Sequence, residues 1–226
     1  EGQKAKFTLT LDRELEDDLE VVLSDGSTVT IAAGETSVSL ERDSRADDVY
    51  VQNGESVSLG IASAQVAGKT FEDLNFSTDK ASIGITDDGD ATLFTITAQD
   101  TDESSATVSF IIEAKNPAQG DATITVMVGG TEHKVTLEDG QTSVTLEVTN
   151  TNTEDVYVDA SELTATITGV TGGGYESADF SKASDTANIA DTETPVTLTL
   201  TADSATVAEG QKAKFTLTLD RELEDD

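Results

Sequence analysis

The sequence contains no cysteine and no tryptophan, and only one methionine, one histidine and two prolines among 226 residues. Without cysteine, neither a disulfide nor a thiolate metal site can hold the chain together. With His133 as the sole histidine, there is no second imidazole for a proton relay. Basic residues are also scarce. Thirteen Lys and Arg stand against 45 Asp and Glu, a formal net charge of −32. A nucleic-acid partner needs a basic face, and an anionic membrane surface would repel this chain, so both are disfavoured. No run approaches the 18 or so apolar residues of a membrane span. No secretory leader is visible, as expected of a window taken from inside a longer protein. Few aromatics and high charge could indicate disorder, but the patterning of the apolar residues argues otherwise.

Period-2 alternation is nearly continuous. Ala5, Phe7, Leu9 and Leu11 alternate with Lys4, Lys6, Thr8 and Thr10; Val144, Leu146 and Val148 alternate with Ser143, Thr145 and Glu147. Such strands bury one face and wet the other. Turns such as Asp25-Gly26, Gly129-Gly130 and Asp139-Gly140 separate them, and no segment has a helical period. Short strands at 8–12-residue spacing predict an all-β protein of immunoglobulin-like sandwiches. In the middle of the chain the expected strands lie near 91–98, 105–113, 122–128, 132–137, 142–148, 161–167 and an irregular 174–190.

The chain also repeats itself. Residues 1–18 and 209–226 are identical letter for letter, an offset of 208, which shared physics alone does not produce and which marks a tandem array. Each 208-residue unit has two halves, because Asp48-Val49-Tyr50-Val51 recurs as Asp155-Val156-Tyr157-Val158 and Gly34–Leu40 recurs as Gly140–Leu146. Expected domains are therefore 1–88, lacking a first strand, 89–192, complete, and 193–226, the first two strands of the next repeat.

Strand parity gathers the acids at domain ends. Asp43, Asp47, Asp48, Asp87, Asp88 and Asp90 fall at the end of the first domain, with Glu1 as a remnant of its first loop and Asn116 and Asp121 facing from the second. Asp100, Asp102, Glu103, Glu154, Asp155, Asp159, Asp191 and Glu193 fall at the end of the second, faced by Asp220, Glu222, Glu224, Asp225 and Asp226. Two like charges at about 4 Å cost roughly 1 to 4 kcal/mol, so such clusters call for cations. Hard oxygen donors without cysteine select calcium over zinc or copper. Asp159 aligns with Gln52, so the halves are expected to differ in calcium number. Neither an EF-hand nor a Gly-Gly-x-Gly-x-Asp repeat is present. Tyr50 and Tyr157 read as packing anchors and His133 as a strand-edge residue; no catalytic set is expected, so the chain is not read as an enzyme.

Alternating strands leading into Asp-Asp-Val-Tyr or Glu-Asp-Val-Tyr, then Gly172-Gly173-Gly174-Tyr175-Glu176 and an Ile-x-Asp linker, resemble the bacterial immunoglobulin-like extender repeats of giant RTX adhesins, the LapA-like biofilm and ice-binding adhesins. The resemblance implies type I secretion from a Gram-negative cell and a surface-anchored chain of sandwiches. It also implies that Ca2+ rigidifies the links and that a terminal ligand-binding region is held away from the cell. It implies Asp47, Asp48, Glu154 and Asp155 as loop ligands and Asp87 and Asp191 as linker ligands. The expected partners are neighbouring repeats, head to tail, in an otherwise monomeric protein without direct membrane contact. Two other readings stay open: a module binding glycan or protein through its loops, and an acidic halophile-type sandwich whose carboxylates serve solubility.

Overall fold

The computed structural model describes residues 1–76 and 80–221, and all regular structure among them is β-strand. The chain divides into two compact units, Glu1–Thr92 with Gly174–Ser177, and the remainder.

The first unit holds β1 (Lys4–Thr10), β2 (Leu19–Leu23), β3 (Thr28–Ile31), β4 (Ser37–Asp43), β5 (Ser56–Leu59), β6 (Ile61–Val66) and β7 (Ala81–Gly84). They pair as β1–β4, β3–β2–β6 and β5–β7. Alternation decides what is inside: Ala5 and Phe7 of β1 are buried with Leu19, Val21 and Leu23 of β2, while Lys4, Lys6, Thr8 and Thr10 face water. The expected Asp25-Gly26 turn closes β2 onto β3, with the Asp25 carboxylate accepting from the Ser27 N–H at 3.0 Å. Among the described residues, β1 has β4 as its one partner strand. An open apolar cavity of about 750 Å³ lies against it, lined by Phe7, Leu9, Leu19, Leu23, Ile61 and Ile83 among others.

From Ala91 onward the strands are β8 (Ala91–Ala98), β9 (Thr101–Asp102), β10 (Thr107–Ala114), β11 (Ala122–Val128), β12 (Thr131–Leu137), β13 (Ser143–Thr149), β14 (Ser161–Gly172), β15 (Ser177–Lys182), β16 (Ser184–Ala190), β17 (Leu198–Ala202) and β18 (Phe215–Leu219). Two sheets, in the orders β13-β10-β8-β15 and β12-β11-β14-β16-β9, form a β-sandwich. Phe94, Val108, Phe110 and Ile112 of one sheet and Ile124, Val126 and Ala165 of the other are fully buried, and the Phe94 and Phe180 rings lie 6.0 Å apart. The alternating face that the sequence predicts is the face that is buried. His133 sits on β12 opposite Val126.

Two features depart from the expected strands. The irregular segment 174–190 is two strands on different sheets, β15 beside β8 and β16 beside β14. The chain crosses over at Ala183, whose small side chain is 3% exposed and whose carbonyl accepts from Ile167 N–H at 2.8 Å. β14 also runs on to Gly172, with a register shift against β11 at Thr125/Val126. Its end depends on glycine: Gly172 has φ +84° and an added Cβ would lie 2.4 Å from the Asp121 carbonyl oxygen. Gly172→Ala is therefore expected to cost roughly 2 kcal/mol or more, from left-handed strain plus the clash. A thermal melt equal to that of the parent would contradict this.

β17 and β18 form a separate hairpin in which Leu198 faces Leu219 and Leu200 faces Leu217. Leu198, Leu200 and Phe215 are 60%, 66% and 60% exposed.

Candidate metal centre

In the first unit the site begins with Glu1. Its backbone nitrogen donates to Thr86 O at 2.9 Å and Gly2 N–H donates to Arg45 O at 2.9 Å, which draws the start of the chain, the loop after β4 and the segment after β7 together. The Glu1 side chain is completely buried. Its Oε2 accepts from Arg45 Nε at 2.9 Å and Nη2 at 2.5 Å. Its Oε1 is buried with no hydrogen-bond partner among the described residues.

Two trios of carboxylates share Glu1, namely Glu1–Asp87–Glu176 and Glu1–Asp47–Asp88, each with ligand oxygens within 4.8 Å of one another. Asp87 accepts from Arg45 Nη2 at 2.6 Å and from Gln52 N–H at 3.0 Å. Glu176 accepts from the Gly89 and Asp90 N–H groups at 2.9 and 2.8 Å through Oε2, while its Oε1 is buried and unpartnered. The Asp47 carboxyl is pushed above its ordinary value, first by Asp88, then by burial, Asp90 and Glu1. Burial pushes Glu176 upward too, assisted by Glu1 and opposed by the two N–H donors.

Glu176 is held in place by its neighbour. The Tyr175 ring stacks on Tyr50 at 5.9 Å and 25°, while Val51 N–H donates to Gly174 O at 2.7 Å and Glu176 N–H to Val49 O at 2.9 Å. Burial lifts the Tyr175 hydroxyl to about 12. Tyr50 is thus a packing anchor; Tyr157, its counterpart, is 40% exposed.

The second unit repeats the plan. Glu103 N–H donates to Ala190 O at 3.0 Å, as Glu1 does to Thr86. The side chain of Glu103 lies in a residue 2% exposed. Its Oε1 accepts from Thr192 N–H at 3.1 Å, and its Oε2 is buried without a partner among the described residues. Glu103, Asp159 and Asp191 form a trio with oxygens within 4.8 Å. Asp159 N–H donates to Asp191 Oδ1 at 3.1 Å. Beside it, Glu154 accepts from the Thr192 and Thr194 hydroxyls, which hold its carboxyl below the ordinary range.

Of the acids expected at the domain ends, Asp47, Asp87, Asp88, Glu103, Asp159 and Asp191 are thus brought into trios. Asp48, Asp102 and Asp155 cap their own turns, accepting from the N–H groups of Tyr50, Ser104 and Tyr157. Asp43 pairs with Lys4 at 3.1 Å, Asp100 accepts from Asn188, Asp121 from Asp139 N–H and Asp220 from Thr197 N–H. Asp90 presents its backbone to Glu176, and Glu193 is exposed. Glu222, Glu224, Asp225 and Asp226 lie outside the described residues.

Sequence reasoning missed Glu176 and Arg45 as site residues. The first has a signal, since Phe71-Glu72 repeats the aromatic-acid pair Tyr175-Glu176. The second has only its position beside Ala46-Asp47-Asp48. The trios offer oxygen alone, and each contains a buried carboxylate oxygen without a hydrogen-bond partner among the described residues. Such a donor set fits a hard divalent cation such as calcium, and offers nothing that a soft metal prefers.

A family model described as the LapA domain matches the chain twice, over residues 1–88 and 90–192. No curated protein matches. Among solved structures, the chain is similar to a two-domain protein of unknown function from Bacteroides fragilis NCTC 9343, at 10% identity and a TM-score of 0.32. The match covers 51% of this chain, which spans 56% of that protein's length.

Proposed function

This chain belongs to the LapA domain family of biofilm-associated, cell-surface adhesins, and from that membership we propose that it is a calcium-stiffened extender segment rather than the part that grips a ligand. The observation that carries the proposal is the buried glutamate of each unit, Glu1 and Glu103, with one carboxylate oxygen left without a partner among other acids. A buried, unsatisfied charged group costs more than the 1–3 kcal/mol of a neutral one. A divalent cation there turns that cost into binding.

Asp87 and Asp88 close the first matched region and Asp191 lies at the end of the second. A cation held by them restrains the backbone leading from one repeat to the next. In this reading the partners are neighbouring repeats, head to tail, the chain is exported from a Gram-negative cell by type I secretion, and it catalyses nothing. Glu1, Asp47, Asp87, Asp88 and Glu176 would hold calcium in the first unit, and Glu103, Asp159 and Asp191 in the second.

The test is thermal unfolding at constant ionic strength in calcium, in sodium and in chelator. Extracellular calcium modules bind at roughly 0.1 to 1 mM. At a hundredfold excess over Kd, a cation contributes about 2.7 kcal/mol, or roughly 10 to 20 °C for a domain of this size. That rise is expected with calcium and not with sodium. Equal melts in calcium and sodium would favour the halophile-type reading and remove this one.

A further inference from the structure

The two units share one site plan but not one set of charges, and we propose that the Arg45 guanidinium is the first unit's built-in substitute for a divalent cation that the second unit must bind. The inference rests on the cation reading above and goes beyond it, since it assigns different cation requirements to the two units.

Equivalence of the positions is set by matching contacts. Arg45 Nη1 donates to Gln52 O at 3.2 Å, and Asn152 Nδ2 donates to Asp159 O at 2.9 Å. Gln52 N–H donates to Asp87 at 3.0 Å, and Asp159 N–H donates to Asp191 at 3.1 Å. Arg45 therefore answers to Asn152, and Gln52 to Asp159. Arginine with glutamine carries one positive charge, whereas asparagine with aspartate carries one negative.

The Arg45 Nη2 lies 2.5 Å from Glu1 Oε2 and 2.6 Å from Asp87 Oδ1. One positively charged nitrogen thus bridges the two carboxylates that correspond to Glu103 and Asp191. The Gln52 amide turns away and donates to Asp48 at 2.6 Å. In the second unit, Asp159 joins the trio instead. Among the described residues, no Lys or Arg forms an ion pair with Glu103, Asp159 or Asp191. The opposite oxygen of Glu1, Oε1, stays unpartnered, so the first unit keeps a separate position for a cation on that side. An array built from such pairs alternates links closed partly by arginine with links closed by calcium alone, and falling calcium softens the second kind first.

The experiment is a calorimetric titration of calcium into the whole chain, with melts in chelator alongside. Asn152→Arg with Asp159→Gln is expected to lose one bound calcium and to melt higher than the parent in chelator. Arg45→Asn with Gln52→Asp is expected to gain one and to melt lower in chelator. If either pair fails to fold, Asp159→Asn and Arg45→Gln carry the same test: the first loses at least tenfold in affinity at one site, and the second gains or tightens one. An unchanged stoichiometry and affinity in variants that fold, with the parent still binding calcium, overturns this inference alone. A parent chain that binds no calcium overturns the cation reading as well.

Discussion

Glu103→Gln is expected to raise the melting temperature of the chain in chelator and to lower it in calcium. The substitution keeps the shape of the side chain and its acceptor for Thr192 N–H, which holds it at 3.1 Å. What changes is charge. In chelator, Glu103, Asp159 and Asp191 have oxygens within 4.8 Å of one another, and like charges at about 4 Å cost roughly 1 to 4 kcal/mol per pair. Removing one of three should return about 2 kcal/mol, or roughly 8 to 16 °C. In calcium the same change removes a ligand, and each tenfold loss of affinity costs about 1.4 kcal/mol once the site is saturated. The sign of the effect therefore depends on the medium. A shift of the same sign in both would show that Glu103 acts through packing and not as a ligand.

The second large effect is on mass. β17 pairs with β18 in a register that sets Leu198 opposite Leu219 and Leu200 opposite Leu217. Phe215–Leu219 has the same sequence as Phe7–Leu11, and β1, which carries Phe7 and Leu9, has only β4 beside it among the described residues, next to the 750 Å³ cavity. A second copy can therefore set its β17 against β1 in the register that β17 already uses, so strand pairing is conserved. Val196, Leu198 and Leu200 would then leave water, at about 1.5–3 kcal/mol for each fully buried side chain. That gross gain of about 6 kcal/mol is offset in part by the cost of association, so the contact is weak, with a Kd on the order of 100 μM or above. The contact is head to tail, so each copy that joins leaves another β1 and another β17 to which further copies can add. Sedimentation should show the average mass rising through that concentration range, and Leu198→Asp with Leu200→Asp should hold the chain monomeric. A concentration-independent monomer, or a double variant that associates as the parent does, would contradict the pairing.

Alternation made the strands legible because one buried face leaves a period-2 trace. β10 shows this most clearly, with Val108, Phe110 and Ile112 inside. The crossing at Ala183 was not legible, since an alanine between a lysine and a serine carries no pattern that tells a strand change from a bend. At the site, parity grouped the acids by domain end but could not say which carboxylates converge. Asp48, Asp102 and Asp155 lie beside those that do, yet their oxygens close local turns. Asp43 is opposite Lys4 in register and turns outward to it. Glu176 is 87 residues from the Gly89 N–H it accepts, and the stacking of Tyr175 on Tyr50 with the backbone bonds of Gly174 and Glu176 to Val51 and Val49 fixes its place. Arg45 is 44 residues from Glu1; in sequence it is one of two arginines in the acidic run Glu41–Asp48, with nothing to show that it is a counter-ion. The exchange of Gln52 for Asp159 was visible, but its complement, Arg45 for Asn152, needed the contacts.

Small-angle scattering of the chain in calcium and then in chelator, at fixed monovalent salt and below the concentration at which copies associate, tests the extender account most directly. Chelation is expected to lower the maximum dimension and broaden the distribution of conformations, while the far-UV circular dichroism of the strands is largely kept. Superimposable scattering curves in the two media, from a chain folded in both, would contradict it.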